Sequence, residues 1–272
     1  MFDRICYIEF ITANGQMKRL EGIDVNFSVK KYMGAVMNEA TIRIYNLAKE
    51  DIEYLTTFTS QWIAINQRKR IRIFAGYKDT NVGLIFDGDI VEALPSSPPD
   101  IVLNCKALSG YYNNLSVISK SVTEQISVKD LLKQVSSWTG LTVNDYTKTT
   151  RTISGFYHTG SITQIIDQLN NIPDIIAYED DGALCVVDSN NVNINKERRK
   201  ITKDSGMIDI PQPDAIGIKV KVLLDANIKI GQQIEVESSA IPACNGVYTI
   251  YELEHQGELR GSNFYTLITA RR

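Results

Sequence analysis

The fold is decided by Ile23-Asp24-Val25-Asn26-Phe27-Ser28-Val29-Lys30. Every odd position of this stretch is apolar and every even position is polar, which is the alternation of a β-strand with one buried face. Less regular runs of the same kind surround it, separated by turn residues, as in an antiparallel sandwich or barrel. They extend from Cys6 to Ile11, Ala40 to Tyr45, Ile71 to Tyr77, Leu84 to Val91 and Ile101 to Leu108. A β domain is therefore predicted over residues 1–118.

Two segments interrupt this strand pattern. Lys49 to Leu55 carries acidic residues in its first turn, where the helix dipole favours negative charge, so it is predicted to be a short helix. Pro95 to Asp100 is rich in proline, which donates no hydrogen bond to a sheet. It is therefore predicted to be the tip of a hairpin.

The middle of the chain changes to the hydrophobic period of helices. Ser127 with Asp130, and Ser161 with Gln164, have the spacing of a capping box at a helix N-terminus. Apolar residues follow both at helical spacing, so two helices are predicted, the first ending near Gly140.

A hairpin and a polar connector complete this part of the chain. The Asp181-Gly182 pair between two apolar runs is a strong signal for a tight hairpin turn. Residues 189–205 are polar and charged, which predicts a connector. Residues 119–205 are therefore interpreted as an α+β module, and strand patterning returns over 206–272. The predicted fold is mainly β, with two β-barrel or sandwich domains flanking an inserted α+β domain.

The composition is that of a folded globular chain, with 43% hydrophobic and 22% charged residues. Its 29 basic and 32 acidic side chains leave a net charge of -3, which argues against a dedicated nucleic-acid-binding protein. No apolar run approaches the roughly 20 residues that span a bilayer, and the start, MFDRICYIEF, lacks the pattern of a signal peptide. We expect the chain to be made and kept in the cytoplasm.

The cysteines and histidines show no catalytic or metal-binding pattern. The four cysteines are far apart, with no CxxC pair, and are expected to be buried thiols: Cys6, Cys105, Cys185 and Cys244. His158 is assigned to a loop before the second helix, and His255 ends a predicted strand. Neither belongs to a catalytic signature, so a structural or surface role is predicted for both. Glu254, Glu258 and Asn245 are close enough in sequence to position His255.

Two groups of carboxylates have the residue types that glycoside hydrolysis needs. In Asp87-Gly88-Asp89, alternation along a strand indicates acids that face solvent, and Glu179-Asp180-Asp181-Gly182 is explained as a turn. Basic clusters at 68–72 and 198–200 are balanced by acids and lack interleaved aromatic residues, so each is interpreted as a solvated face or a subunit contact. No catalytic, cofactor-binding or metal-binding residue is therefore predicted.

Several motifs resemble those of phage tail hub proteins. Ile44-Tyr45-Asn46-Leu47, Ala75-Gly76-Tyr77 and Phe86-Asp87-Gly88-Asp89-Ile90 match, in order and spacing, the "I-Y-N-L", "A-G-Y" and "F-x-G-x-I" strands of that family. The segment Gly246 to Tyr265 is similar to the family's closing pattern, with Glu258 in place of the usual aspartate. The resemblance to the phage tail baseplate hub family covers nearly the whole chain.

This resemblance implies a structural baseplate hub subunit that is not an enzyme and needs no cofactor. Three copies would form a homotrimer that caps the tail tube, with two tube-like β domains per chain making a ring of six parts. The trimer would join the tail tube protein to the central spike protein and other baseplate proteins. DNA would pass through its channel without specific binding. The implied location is the virion tail, after assembly in the bacterial host cytoplasm.

Two alternatives stay open from the sequence. One is a tail-associated cell-wall hydrolase, which needs paired acids or a metal site in a cleft. The other is a hub-like spike component of a tailocin or a type VI secretion-like machine. If the chain is a hub, the segments 95–100 and 190–205 are expected at contacts with the tube, the spike or a neighbouring subunit. The basic residues expected to face acidic groups there are Lys196, Arg198, Arg199 and Lys200.

Overall fold

The computed structural model describes residues 3–11, 15–56, 68–78, 82–189 and 198–272. In these ranges the strands are β1 (Arg4–Ile11), β2 (Met17–Leu20), β3 (Val25–Tyr32), β4 (Glu39–Tyr45), β5 (Arg70–Tyr77), β6 (Gly83–Pro95), β7 (Val102–Leu108), β8 (Ile118–Ser127), β9 (Thr142–Asp145), β10 (Thr152–Gly160), β11 (Ile175–Asp180), β12 (Ala183–Asp188), β13 (Arg199–Ile201), β14 (Gln212–Asp214), β15 (Gly217–Leu223), β16 (Gln233–Val236), β17 (Gly246–Glu258) and β18 (Phe264–Arg271). The α-helices are α1 (Lys49–Leu55), α2 (Tyr111–Asn114), α3 (Val128–Thr139) and α4 (Ile162–Asn170). None of these helices is long and apolar enough to cross a membrane.

The fold is mainly β, as predicted, and thirteen strands form one sheet. Its main path runs β14-β15-β18-β17-β3-β4-β7-β6-β5-β1-β2. Off this path, β16 pairs with β17, and β13 pairs with β16. The N-terminal and C-terminal strands are joined where β17 pairs with β3, from Glu252 opposite Tyr32 to Glu258 opposite Asn26. The division into residues 1–118, 119–205 and 206–272 stays a prediction.

The alternating stretch behaves as its pattern predicts. Val25, Phe27 and Val29 are buried, while the residues between them are half-buried on the opposite face of β3. The strand continues beyond the predicted end, and the next inward position is occupied by Lys31. This lysine is only 1% exposed, so the sheet carries a charge into the interior.

The two predicted helix caps in the middle of the chain are confirmed. Ser127 accepts a hydrogen bond from the backbone N–H of Asp130 at 3.1 Å, and Gly140 ends α3 in the left-handed conformation. Ser161 and Gln164 form a complete capping box at the start of α4. Apolar side chains of both helices pack on one core with the strands β11 and β12.

Three predictions in this region need correction or lie outside the structure. His158 does not lie in a loop but on β10, which pairs with β8 in a separate two-stranded sheet. The predicted connector contains β13, which pairs in parallel with β16, because Ile201 fits the neighbouring apolar core. Residues 190–197, including Lys196, lie outside the described residues.

Two sets of five strands in the sheet have the same topology. In chain order the first unit is β3 to β7 and the second unit is β14 to β18. In space the first unit runs β3-β4-β7-β6-β5 and the second runs β14-β15-β18-β17-β16, and all neighbours within each unit are antiparallel. Each unit therefore places its first, second, fifth, fourth and third strands side by side in that order.

The register of the two units also agrees. In the first, Asp89 of β6 pairs with the first residue of β5 and with the last residue of β7. In the second, Thr249 of β17 pairs with the first residue of β16 and the last residue of β18. In both long strands a bulge follows one residue later, after Ile90 and after Ile250. The chain thus contains the same β unit twice.

Candidate functional site: a buried polar junction

Lys31 links the shared sheet to the α+β module. Its Nζ lies 2.7 Å from a carboxylate oxygen of Asp180 and 2.7 Å from one of Asp181, at the end of β11 and in the turn that follows. That turn is the predicted Asp-Gly hairpin, and Asp181 and Gly182 both have the positive φ that such a turn requires. A buried ammonium needs partners of opposite charge, so the two carboxylates hold the hairpin against the sheet.

A second lysine completes this ion-pair group. Lys229 Nζ lies 3.1 Å from the other carboxylate oxygen of Asp181. Burial alone would raise the pKa of Asp181, but Lys31 and Lys229 outweigh it and hold that pKa below its usual range. Burial would likewise lower the pKa of Lys31, and Asp180 and Asp181 instead raise it. Lys31 of β3, the hairpin between β11 and β12, and Lys229 between β15 and β16 therefore meet in one ion-pair group.

Glu179 lies beside this group in a different electrostatic environment. It is 4% exposed, and burial, with the nearby charges of Asp89 and the other junction carboxylates, raises its pKa to about 7. Among the described residues its Oε1 has no hydrogen-bond partner, while its backbone carbonyl accepts a hydrogen bond from Asn38 Nδ2 at 3.1 Å. Glu179 is therefore the junction group that can take up or release a proton near neutral pH.

The interpretation of Asp87 and Asp89 as solvent-facing acids is wrong. They are 7% and 1% exposed. Arg70 forms two hydrogen bonds to Asp87, at 2.6 and 2.7 Å, and Arg68 Nε lies 2.7 Å from Asp89. Arg72 Nε also donates to Asp87, at 3.1 Å. The arginines of the basic cluster at 68–72 therefore form ion pairs within the chain, because buried carboxylates must be paired.

The two histidines have structural surroundings. His255 is 1% exposed, and its Nδ1 lies 2.9 Å from Thr266 Oγ1. Its side-chain partner is therefore Thr266, rather than Glu254, Glu258 or Asn245, which the sequence suggested. Burial, with Lys31 and Lys229, lowers the pKa of His255 to about 3. His158 Nδ1 lies 3.1 Å from Gln168 Oε1 at 7% exposure.

The remaining predicted groups are accounted for within the chain. All four cysteines are free and buried, as expected. Arg199 binds the carboxylate of Asp225, and Lys200 Nζ lies 3.2 Å from Glu237. The acidic groups that these basic residues face therefore belong to the same chain. Among the described residues no group of His, Cys, Asp and Glu is placed to hold a metal ion.

Sequence reasoning did not identify Lys31 or Glu179 as junction residues. The signal for Lys31 was present, because it occupies the next odd position after Val25, Phe27 and Val29 and so continues the buried face. No comparable signal exists for Glu179, whose environment depends on contacts between distant strands.

The face of the sheet opposite the core is polar where the two units meet. On β3 and β17 its half-buried side chains include Ser28, Lys30, Glu254 and Gln256. Glu254 Oε1 accepts hydrogen bonds from Ser28 Oγ at 3.0 Å and from Gln256 Nε2 at 2.7 Å. The bond from Ser28 crosses the seam between the units, and the bond from Gln256 lies along β17, so the polar face continues from one unit into the other.

Comparisons with known proteins give one family and several similar folds. A family model described as "Baseplate hub gp41" matches residues 7–270. No curated protein has a sequence that matches the chain significantly.

Among solved structures, the 43 kDa tail protein of prophage MuSo2 from Shewanella oneidensis is 8% identical, with a TM-score of 0.66, over 97% of this chain and 96% of that one. A tail protein from Neisseria meningitidis is 8% identical, with a TM-score of 0.67, over 98% and 96%. An E. coli component of the type VI secretion system is 10% identical, with a TM-score of 0.62, over 92% and 73%. These likenesses are of fold.

Proposed function

Since the chain belongs to the baseplate hub gp41 family, whose model covers residues 7–270, we propose that it is the structural subunit of a trimeric tail hub. Three copies cap the tail tube and join the tail tube protein to the central spike protein and other baseplate proteins. The trimer forms part of the channel through which DNA is ejected. Its place is the virion tail, after assembly in the bacterial host cytoplasm.

The observation that carries this proposal is the repeated β unit. Each chain holds two units with one topology and one register, already joined edge to edge by β17 and β3. A closed trimer of such chains presents six similar units around one axis, which suits a tube of sixfold symmetry. We interpret each unit as the centre of a tube-like β domain, with residues 119–205 inserted between the two.

The polar face of the shared sheet is the surface we assign to the channel. It mixes both charges: Lys30 lies opposite Glu254 on one side and Glu39 on the other, and Arg43 lies opposite Asn26, which in turn lies opposite Glu258. Tight DNA binding requires a surplus of basic groups at phosphate spacing, so a mixed face lets DNA pass without being held.

Neither alternative function gains support of its own. A hydrolase needs two carboxylates that face a substrate, whereas Asp87 and Asp89 are bound to arginines and Asp180 and Asp181 to lysines. The likeness to a type VI secretion component is of fold alone, at 10% identity. A hub-like part of such a machine would have the same architecture, so it differs from our proposal in its partners only.

Light scattering coupled to size exclusion tests the trimer. The protein is measured alone and after mixing with its tail tube and spike proteins. We expect a particle of three times the chain mass, alone or with these partners. A strict monomer at high concentration, even with both partners present, would contradict the proposal.

A further inference from the structure

The strand β8 has a neighbouring strand on one side only. It forms a two-stranded ribbon with β10, and in the described ranges no other strand pairs with it. Residues 115–128, which contain β8 and both of its flanks, are all described, and most of β8 is exposed. An open edge of this length attracts another strand, so native proteins cover such an edge or restrict what can pair with it.

The sequence of β8 is complementary to itself in the reverse direction. It contains Ile118-Ser119-Lys120-Ser121-Val122-Thr123-Glu124-Gln125-Ile126, with an apolar residue in the centre and at both ends. Lys120 and Glu124 lie at equal distances on either side of Val122. An antiparallel pair of two such strands, centred on Val122, therefore places each lysine opposite a glutamate.

We propose that β8 of one copy pairs with β8 of a second copy, antiparallel and around a twofold axis at Val122. Both copies use the same residues, so each cross-strand contact occurs twice. The two ribbons then form one sheet in the order β10-β8-β8-β10. A twofold axis between neighbours cannot belong to a ring of three copies. The contact therefore joins free copies or two complete rings, and it goes beyond the proposed hub function.

One face of the paired strands carries the apolar and charged residues. Ile118, Val122 and Ile126 belong to the core beneath the ribbon or pack against it. Lys120 and Glu124 share this face by the alternation of the strand, and both are exposed. In the pair, Ile118 lies opposite Ile126 of the second copy. Lys120 lies opposite Glu124 of the second copy, close enough for a cross-strand ion pair.

The irregular position in the ribbon leaves the alternation of β8 intact. The register shifts at Gly155 of β10, which has a positive φ. The core residues Ile153 and Phe156 are three positions apart there, which breaks the alternation of β10. Val122 and Ile126 of β8 are four positions apart. The strand therefore keeps a regular face for a second strand.

The other face of β8 carries uncharged hydroxyl and amide groups. In the pair, Ser119 lies opposite Gln125, and Ser121 lies opposite Thr123. Side chains of this kind form hydrogen bonds between neighbouring strands. The ribbon already contains one such contact, at 3.0 Å between Ser119 Oγ and Thr159 Oγ1. No like charges oppose each other in this register.

The two charges restrict which strand can pair here. A charged residue that faces inward on an edge strand disfavours unrelated strands, because they leave it without a counter-charge. A second β8 supplies the counter-charge at both positions. Val117, which precedes β8 and is 74% exposed, would be covered beside Ser127 of the second copy. A second copy of the chain is therefore the partner that this strand fits.

The contact is small, because it consists of one strand from each copy. We expect a weak and reversible pair that forms at high protein concentration and is absent from dilute solution. Sedimentation velocity of the full chain over a range of concentrations measures it. The original protein should associate as its concentration rises. No association up to about 1 mM would overturn the proposal.

Reversal of charge tests the register. In Lys120→Glu alone, two acidic groups oppose each other at both contacts, and in Glu124→Lys alone, two basic groups do. Each variant should therefore associate at least about tenfold more weakly. An equimolar mixture of the two should regain the association, since each copy supplies the charge that the other lacks. The double variant Lys120→Glu/Glu124→Lys should regain it as well.

Lys148→Glu is the matched control, at an exposed lysine of the same module outside β8. It should associate like the original protein. Recovery in the mixture also shows that both single variants are folded. Single variants that associate as the original protein does, or a mixture that does not recover, would overturn the proposal. Neither result bears on the mass of the particle formed with the tube and spike proteins, which tests the proposed function separately.

Disulfide cross-linking locates the axis. Val122 lies opposite Val122 of the second copy, and in either type of antiparallel pair the Cα atoms are about 4.5–5.5 Å apart, which a disulfide spans. Val122→Cys, oxidised with glutathione disulfide, should give covalent dimers. Ser119→Cys should not, because the two copies of this position are about 20 Å apart in the pair. The native cysteines are buried and add little background. Equal cross-linking of both variants, or none of Val122→Cys, would overturn the proposal.

Discussion

Glu179 makes the free energy of unfolding depend on pH, in a direction that its raised pKa determines. Its pKa is raised from 4.5 to about 7 in the folded chain, by burial first and then by nearby carboxylates. Between these values the folded state holds a proton that the unfolded state has lost. The free energy of unfolding therefore falls as pH rises through this window, by up to about 3 kcal/mol.

Glu179→Gln should abolish this dependence, because the amide copies the protonated form. We expect the variant to melt about 5 °C or more above the original protein at pH 8 and close to it at pH 4.5. Thermal unfolding followed by circular dichroism across this range gives the comparison. Glu124→Gln, on the exposed part of β8, is the control and should follow the original protein. A Glu179→Gln variant that is less stable at pH 8 would refute the argument.

Lys31 differs from Glu179, because the folded chain is stabilised when Lys31 carries its charge. Lys31→Met leaves Asp180 and Asp181 without their buried partner, so we expect a loss of about 3 kcal/mol or more in the free energy of unfolding. Lys30→Met, on the polar face of the same strand, should cost less than about 0.5 kcal/mol. Urea unfolding measures both. Adding Asp180→Asn to Lys31→Met should recover part of the loss, and equal losses from Lys30 and Lys31 would disprove the role of the ion pairs.

At the residue scale, the sequence predicted apolar positions better than charged ones. The buried state of Cys6 and Cys105 follows from their place in apolar strands. The burial of Asp87 and Asp89 could not be predicted, because it depends on arginines that a neighbouring strand brings into contact. A strand pattern shows which face a residue is on and not what covers that face.

At the scale of elements, Gly257 controls how closely β17 approaches β3. It pairs directly with Phe27, and a Cβ atom at this position would lie far inside van der Waals contact with the Phe27 ring. Gly257→Ala should therefore destabilise the seam by about 1–3 kcal/mol. The loss is measured by urea unfolding.

A compensating change separates this steric effect from a general one. Phe27→Leu makes room at the same place, so the double variant Phe27→Leu/Gly257→Ala should lose less stability than the two single losses together. Strictly additive losses would mean that the ring does not set the approach of the strands.

The elements that the sequence predicted are those with a strong local signal. The alternation of β3, the serine caps of α3 and α4 and the Asp-Gly turn between β11 and β12 were all predicted. The strands β8, β10 and β13 were not, because their faces are mostly polar and exposed or the strand is only three residues long. Such strands depend on pairing partners, which periodicity does not reveal.

At the scale of the molecule, the repeated unit is invisible in the sequence. Asp89 and Thr249 hold the same place in their units, as do Arg70 and Gln233, although their side chains differ in size and charge. Strand order and register need only a shared alternation of buried and exposed positions, which unrelated residues can satisfy. The strongest support for a ring of six units therefore comes from the topology.

The central claim is that three copies close into a ring of six β units, and the most direct measurement is cryo-electron microscopy of the particle assembled with its tube protein. The account predicts a closed ring with threefold symmetry, in which six similar β units surround an opening. A ring with another number of chains, or assembly with the tube protein in which no closed ring forms, would contradict it.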